Sequence, residues 1–275
     1  MKNEKSSAAI ADSADGVRSR VSPLVPLKAE GTGAPIFMAH GLGDSVGSLV
    51  RFATCMQVRP PIYGMQARGL DGIEKPQERI EEMAEFHLEA VRRVQPRGPY
   101  TLIGYSLGGL VTLEIARRLK GAGDQVALLV MLDSYPDRRR LALGQRLRVD
   151  WRIARLRVAS LMRGSSELPA SGGNVRNATG QTDVDESKAG AWQRVKDAQY
   201  RALREYRPAA YGGKVKFVRA TIPTYFPADP VPFWSGILSE MEVETVPGSH
   251  LEMLSTQVET VASVVRRHVM ASQGG

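Results

Sequence analysis

Apolar positions recur along this chain at two spacings, and the spacing switches from segment to segment. Short apolar runs bounded by Gly, Pro or Asp predict strands at 24–27, 35–39, 61–65, 100–104, 126–132, 214–220 and 241–246. Between them, apolar residues three and four apart predict helices at 48–57, 110–119, 192–206 and 251–270. A further helix carries Ile80, Met83, Ala84, His87 and Val91, with Pro76 ahead of it and Pro96 closing it. The run 126–132 is apolar throughout, as a central parallel strand covered on both faces requires. Strands alternating with helices predict an α/β fold with a mostly parallel, doubly wound sheet.

The alternation halts after the 126–132 strand and resumes near 214. An insertion over about 136–208 therefore reads as a helical lid. Within it 138–162 is basic and helical in pattern, and 165–185, rich in Ser, Gly, Asn, Thr and Asp, reads as a mobile loop. Residues 1–22 are polar and without period, which predicts a disordered tail ahead of one domain over 23–275.

The composition narrows the class. At 275 residues and 43% hydrophobic content, the chain can bury one large core. A single cysteine, Cys55, excludes an internal disulfide framework and reads as a buried structural thiol. There is no apolar run of membrane-spanning length and no secretory leader pattern, so a cytoplasmic location is expected. The net charge of +8 concentrates in arginines 138, 139, 140, 146, 148, 152, 155, 157 and 163. No nucleic-acid motif accompanies them, so no nucleic-acid partner is expected.

Candidate chemistry centres on Gly104-Tyr105-Ser106-Leu107-Gly108-Gly109, between a predicted strand and a predicted helix. In that context G-x-S-x-G is a nucleophile elbow, with glycines where a sharp turn leaves no room for side chains. A serine hydroxyl needs a base to take its proton and an acid to orient the base. Of the four histidines, His40 precedes the serine, His87 lies on the inner face of a helix as a satisfied core or boundary residue, and His268 sits in the last turns of the C-terminal helix as a solvated or dipole-stabilised residue. His250, in the loop after the last strand, is the candidate base. The acid is Asp133, which abruptly ends the 126–132 strand, or Asp229, in the proline-rich segment after the next core strand. Oxyanion stabilisation needs two backbone N–H donors: Leu107, directly after the serine, and Leu42, in the turn His40-Gly41-Leu42-Gly43. No metal-ligand spacing is present.

Together these residues resemble the thioesterase domains that end nonribosomal peptide and polyketide synthases, within the α/β-hydrolase superfamily. The resemblance runs from about 22 to 269. It includes Ser22-Pro23-Leu24-Val25-Pro26-Leu27, Phe37-Met38-Ala39-His40-Gly41, the elbow, Leu132-Asp133-Ser134-Tyr135, Tyr206-Arg207-Pro208 and Pro247-Gly248-Ser249-His250. It implies an acyl chain arriving as a thioester on phosphopantetheine or coenzyme A, transfer to Ser106, and release by hydrolysis or cyclisation without a bound cofactor. The implied partner is an acyl- or peptidyl-carrier protein, or an acyl-CoA substrate. The synthase domains carry their acid after the strand that Asp133 ends, whereas separate editing thioesterases tend to carry it later, which keeps Asp229 open. No carrier domain precedes residue 22, so a freestanding protein is expected. The arginine-rich segment would steer an acidic carrier electrostatically. Two other readings are a carboxylic-ester hydrolase, although the long His-Gly-Gly-Gly oxyanion motif is missing, and a non-catalytic basic binding protein, which the intact Ser, Asp and His set disfavours.

Overall fold

The computed structural model describes residues 22–137, 147, 151, 186–223 and 229–273. Seven strands form one sheet: β1 (Leu24–Lys28), β2 (Ile36–Ala39), β3 (Ile62–Met65), β4 (Tyr100–Tyr105), β5 (Val126–Leu132), β6 (Tyr211–Ile222) and β7 (Leu238–Ser249). Their spatial order is β1-β3-β2-β4-β5-β6-β7. β1 runs antiparallel to β3, and every other neighbouring pair is parallel. The predicted α/β class, with a mostly parallel doubly wound sheet, is the observed one.

Alternation along each strand divides the core. Phe37, Tyr100, Leu102, Leu129 and Met131 face one layer of helices, and Ile36, Met38, Ile103, Val130 and Leu132 face the other. The first layer holds α2 (Ile80–Val94) and α3 (Leu107–Gly121). The second holds α1 (Val50–Met56) and α6 (Val258–Gln273). Between β5 and β6 the described part of the insertion is α4 (Glu186–Glu205), and α5 (Val231–Trp234) precedes β7. Arg207 closes α4 by donating to the carbonyls of Arg204, Glu205 and Tyr206. The arginine cluster at 138–163 and the loop expected at 165–185 lie outside the described residues, as do the expected tail residues 1–21.

Several boundaries differ from the sequence expectation. α3 begins at Leu107, three residues early, because the helix starts directly from the elbow. The last helix begins at Val258. The residues before it form a 3-10 turn, His250–Glu252, closed by a capping box between Ser249 and Glu252. The Tyr105 hydroxyl also donates to the His250 carbonyl at 2.7 Å, fixing that carbonyl outside any regular helix. Cys55 is half-buried rather than buried. Among the described residues no helix is long and apolar enough to cross a membrane.

The winding reverses between β2 and β4, which are neighbours in the sheet although β3 lies between them in sequence. Open α/β sheets form their binding crevice beyond the carboxyl ends of the strands at such a switch point. Here the turn after β2 meets the start of α3. They approach so closely that a Cβ on Gly108 would lie within 2.6 Å of the Ala39 carbonyl carbon and the His40 carbonyl oxygen. Backbone on both sides leaves no flexible group to yield. Gly108→Ala is therefore expected to cost about 1–3 kcal/mol, read as a lower urea midpoint; an unchanged midpoint would contradict this packing.

Candidate active site

Ser106 is the hinge between β4 and α3, at φ 54° and ψ −118°. Only three non-glycine residues among those described have positive φ: Gln57, Ser106 and Asp133. Two of them belong to the predicted site, in keeping with the tendency of backbone strain of about 1–3 kcal/mol to collect at functional positions. The strain is held in place by its surroundings. The Ser106 N–H donates to the Leu132 carbonyl at 2.9 Å, and the Asp133 N–H donates to the Val218 carbonyl at 2.8 Å. A Cβ on Gly104 would meet the Gly108 carbonyl and lie 2.5 Å from the Gly109 Cα, so only glycine permits this tight exit from the strand.

Three side chains distant in sequence meet above this turn. Asp133 leaves the carboxyl end of β5, and its Oδ2 accepts from His250 Nδ1 at 2.8 Å. The other imidazole nitrogen, Nε2, lies 3.1 Å from the Ser106 hydroxyl. An ionised carboxylate can only accept, so the pairing selects the Nδ1–H tautomer and leaves Nε2 to accept from Ser106. The imidazole stacks on Tyr105, with ring centroids 5.0 Å apart and planes 20° from parallel. Asp133 and His250 are 6% and 7% exposed, so their pairing is shielded from bulk water. Burial, reinforced by the Asp133 and Asp44 carboxylates, raises the Tyr105 phenol well above its usual range and keeps it a neutral donor to the His250 carbonyl. Asp229 occupies a different role: its Oδ1 accepts from the Val231 N–H at 2.9 Å at the start of α5.

The turn carrying Leu42 lies against the elbow. A Cβ on Gly41 would lie 3.0 Å from the Tyr105 ring and 3.5 Å from Ser106 Cβ. Leu107 is the first residue of α3, where helical geometry leaves a backbone N–H without an internal acceptor. The turn is held from above by α4. The Gly43 N–H donates to Gln199 Oε1 at 2.7 Å, and the alkyl chain of Lys196 lies over Gly43. Sequence reasoning did not single out Gln199. Its buried place on α4 is legible from helical spacing, but its partner lies far away in the chain.

The chain also resembles known proteins in sequence and fold. A family model described as the thioesterase domain matches residues 34–269. Malpibaldin synthetase of Mortierella alpina is 33% identical over 244 residues, covering 84% of this chain and 4% of that protein. A dimodular nonribosomal peptide synthase of Bacillus subtilis (strain 168) is 39% identical over 120 residues, 44% of this chain and 5% of its own length. The chain thus spans a small fraction of the length of these relatives. The NocB thioesterase domain, solved as a covalent complex with a fluorophosphonate nocardicin G analog, superposes with a TM-score of 0.66 at 22% identity, covering 90% of this chain and 99% of that one. The type II thioesterase BorB from the borrelidin biosynthetic cluster gives a TM-score of 0.62 at 21% identity, covering 89% and 96%. These two structures share the fold.

The remaining three histidines lie largely out of solvent. His268 is largely buried rather than solvated, with Nε2 2.9 Å from Glu244. His40 is buried, and its Nδ1–H donates to the Gly41 carbonyl at 2.8 Å. Burial lowers its pKa. His87 was expected to be a satisfied core residue, yet its Nδ1 is buried without a hydrogen-bond partner. Burial foremost, with repulsion from His40, lowers its pKa to about 3. A lowered folded pKa means that the unfolded chain binds the proton more readily. The stability due to neutral His87 is therefore full above about pH 6.5 and drains away as the pH falls toward about 3. Between pH 7 and pH 4.5 this group should cost about 2–3 kcal/mol. Urea unfolding of His87→Phe should show a correspondingly smaller loss over that interval; a loss equal to that of the native sequence would contradict a buried neutral His87.

Proposed function

The chain belongs to the thioesterase domain family, and from that footing we propose that it releases acyl, polyketide or peptide chains from thioesters through an acyl-Ser106 intermediate. The observation that carries this reading is the continuous path from Asp133 through His250 to the Ser106 hydroxyl, with spacings of 2.8 and 3.1 Å. His250 Nε2 takes the hydroxyl proton as Oγ bonds to the thioester carbonyl carbon. Asp133 holds the imidazole in the accepting tautomer and stabilises its cation. Charge moves to the carbonyl oxygen, for which the Leu107 and Leu42 N–H groups are the donors; losing one such donor typically costs about 3 kcal/mol of barrier. The tetrahedral adduct collapses by breaking the C–S bond, and His250 returns its proton to the departing sulfur. Water, or a hydroxyl or amine within the chain itself, then attacks the acyl-serine with His250 again as base. Hydrolysis yields a carboxylic acid, and internal attack yields a ring.

The thiol side of the substrate is a phosphopantetheine arm on a carrier protein, or coenzyme A. The kinship with synthase domains supports this, because relatives include a nonribosomal peptide synthase and a polyketide synthase of Bacillus subtilis (strain 168). A structural neighbour is a four-domain nonribosomal peptide synthetase in which the matched region is 20% of the chain. The inserted segment that includes α4 would act as the lid over the site. Steering of an acidic carrier by the arginines at 138–163 belongs to the same proposal.

Kinetics on an acyl-pantetheine thioester test the assignment of roles. Ser106→Ala is expected to abolish thiol release, and Asp133→Asn to lower kcat about ten-thousand-fold with little change in folding stability. Asp229→Asn should stay within a few-fold of the native rate. Full activity of Ser106→Ala would remove the serine mechanism, and a larger loss from Asp229→Asn than from Asp133→Asn would reassign the acid.

A further inference from the structure

A cavity of about 30 Å³ lies beside the elbow, lined in part by His40, Leu107, Arg68, Gln77, His87 and Gln199. Three of these lining residues carry a buried polar atom with no hydrogen-bond partner: Arg68 Nε, Gln77 Nε2 and His87 Nδ1. Buried polar groups are nearly always paired, and three orphans on residues that line one void point to a place where an incoming group completes the set.

The chemistry of the three atoms defines that group. Arg68 Nε and Gln77 Nε2 carry hydrogens and can only donate. His87 is 6% exposed and burial keeps it neutral, so one ring nitrogen donates and the other accepts; with the proton on Nε2, the unpartnered Nδ1 is an acceptor. Two donors and one acceptor match a hydroxyl, which accepts twice and donates once. A carbonyl would leave His87 unpaired, and a carboxylate would point its lone pairs at the imidazole. Arg68 does not call for an anion either, because Glu74 already meets its guanidinium at 3.2 Å. The size agrees: a void of this volume holds a group about as large as a water molecule, for which roughly 10–15 Å³ suffices. Its place agrees too. Leu107 and Gly108 line it immediately after the serine, and His40 begins the turn that carries Leu42. A group bound there belongs to the first few carbons beyond the reacting carbonyl.

We propose that this cavity is a subsite for a hydroxyl near the thioester end of the acyl chain, so that the protein selects hydroxyacyl over unsubstituted acyl substrates. The inference rests on the acyl-serine reading above and adds its substrate class. The test compares thiol release from 3-hydroxybutyryl- and butyryl-pantetheine by the full chain, with Ser106→Ala as the reference for uncatalysed release. A kcat/KM ratio of roughly 10 to 100 in favour of the hydroxyacyl thioester is expected, the range that a hydrogen-bonded pocket imposes on an analogue lacking the group. His87→Phe and Gln77→Leu should each bring the ratio toward one. Because the ratio is taken within each variant, general damage to folding or rate cancels, and either variant suffices. A native ratio near one, as a resident water alone would give, overturns the subsite while leaving the serine mechanism standing. A native ratio that persists in both variants also overturns it. Absence of Ser106-dependent release from either thioester overturns both readings.

Discussion

Everything at the candidate active site depends on one backbone constraint: Ser106 must hold a positive φ at the point where β4 becomes α3. An L residue avoids that conformation, and it persists here because the surrounding backbone leaves no alternative. Ser106 and Asp133 are each tied by their N–H groups to the neighbouring strand, and the helix start is pressed against the end of β2. The hydroxyl is thereby lifted above the sheet edge at the switch point between β2 and β4. The same hydrogen bonds make Asp133 the next residue along that edge. Strain in the turn and placement of the Asp133 carboxylate therefore have a common cause.

The candidate base is positioned by a different set of forces. His250 comes from the end of β7, and its ring is trapped between the Tyr105 ring below and the Asp133 carboxylate at its edge. Tyr105 precedes the serine and also binds the His250 carbonyl, so the residue that completes the strand before the elbow also anchors the base. On the opposite side, Gln199 and Lys196 of α4 bear on the turn that carries Leu42. The inserted segment thus meets this turn at Gly43, the residue after Leu42.

Much of this was legible because it is local. Apolar runs with alternating faces announce the strands, and the glycine pattern around Ser106 announces the turn. Where nonlocal contacts decide, the sequence reading fell short. The start of the last helix was misread because the Ser249–Glu252 capping box and the Tyr105 hydroxyl stop a pattern that otherwise looks helical from 251. Asp133 and Asp229 both follow core strands, so spacing could not separate them. Separation comes from three-dimensional placement, one carboxylate at the imidazole and the other at the start of α5. Gln199 and the trio Arg68, Gln77 and His87 carry no motif, since their meaning lies in partners found, or not found, across the fold.

The most direct measurement of the central claim is covalent labelling by a fluorophosphonate, followed by intact mass and peptide mapping. Such a reagent bonds readily to a serine whose hydroxyl is activated by a base within reach, and an unactivated serine reacts poorly. One adduct per chain is expected, on the peptide containing Ser106, with labelling lost when His250 is replaced by alanine. A chain that stays unlabelled, or that carries the adduct on another residue, would contradict it.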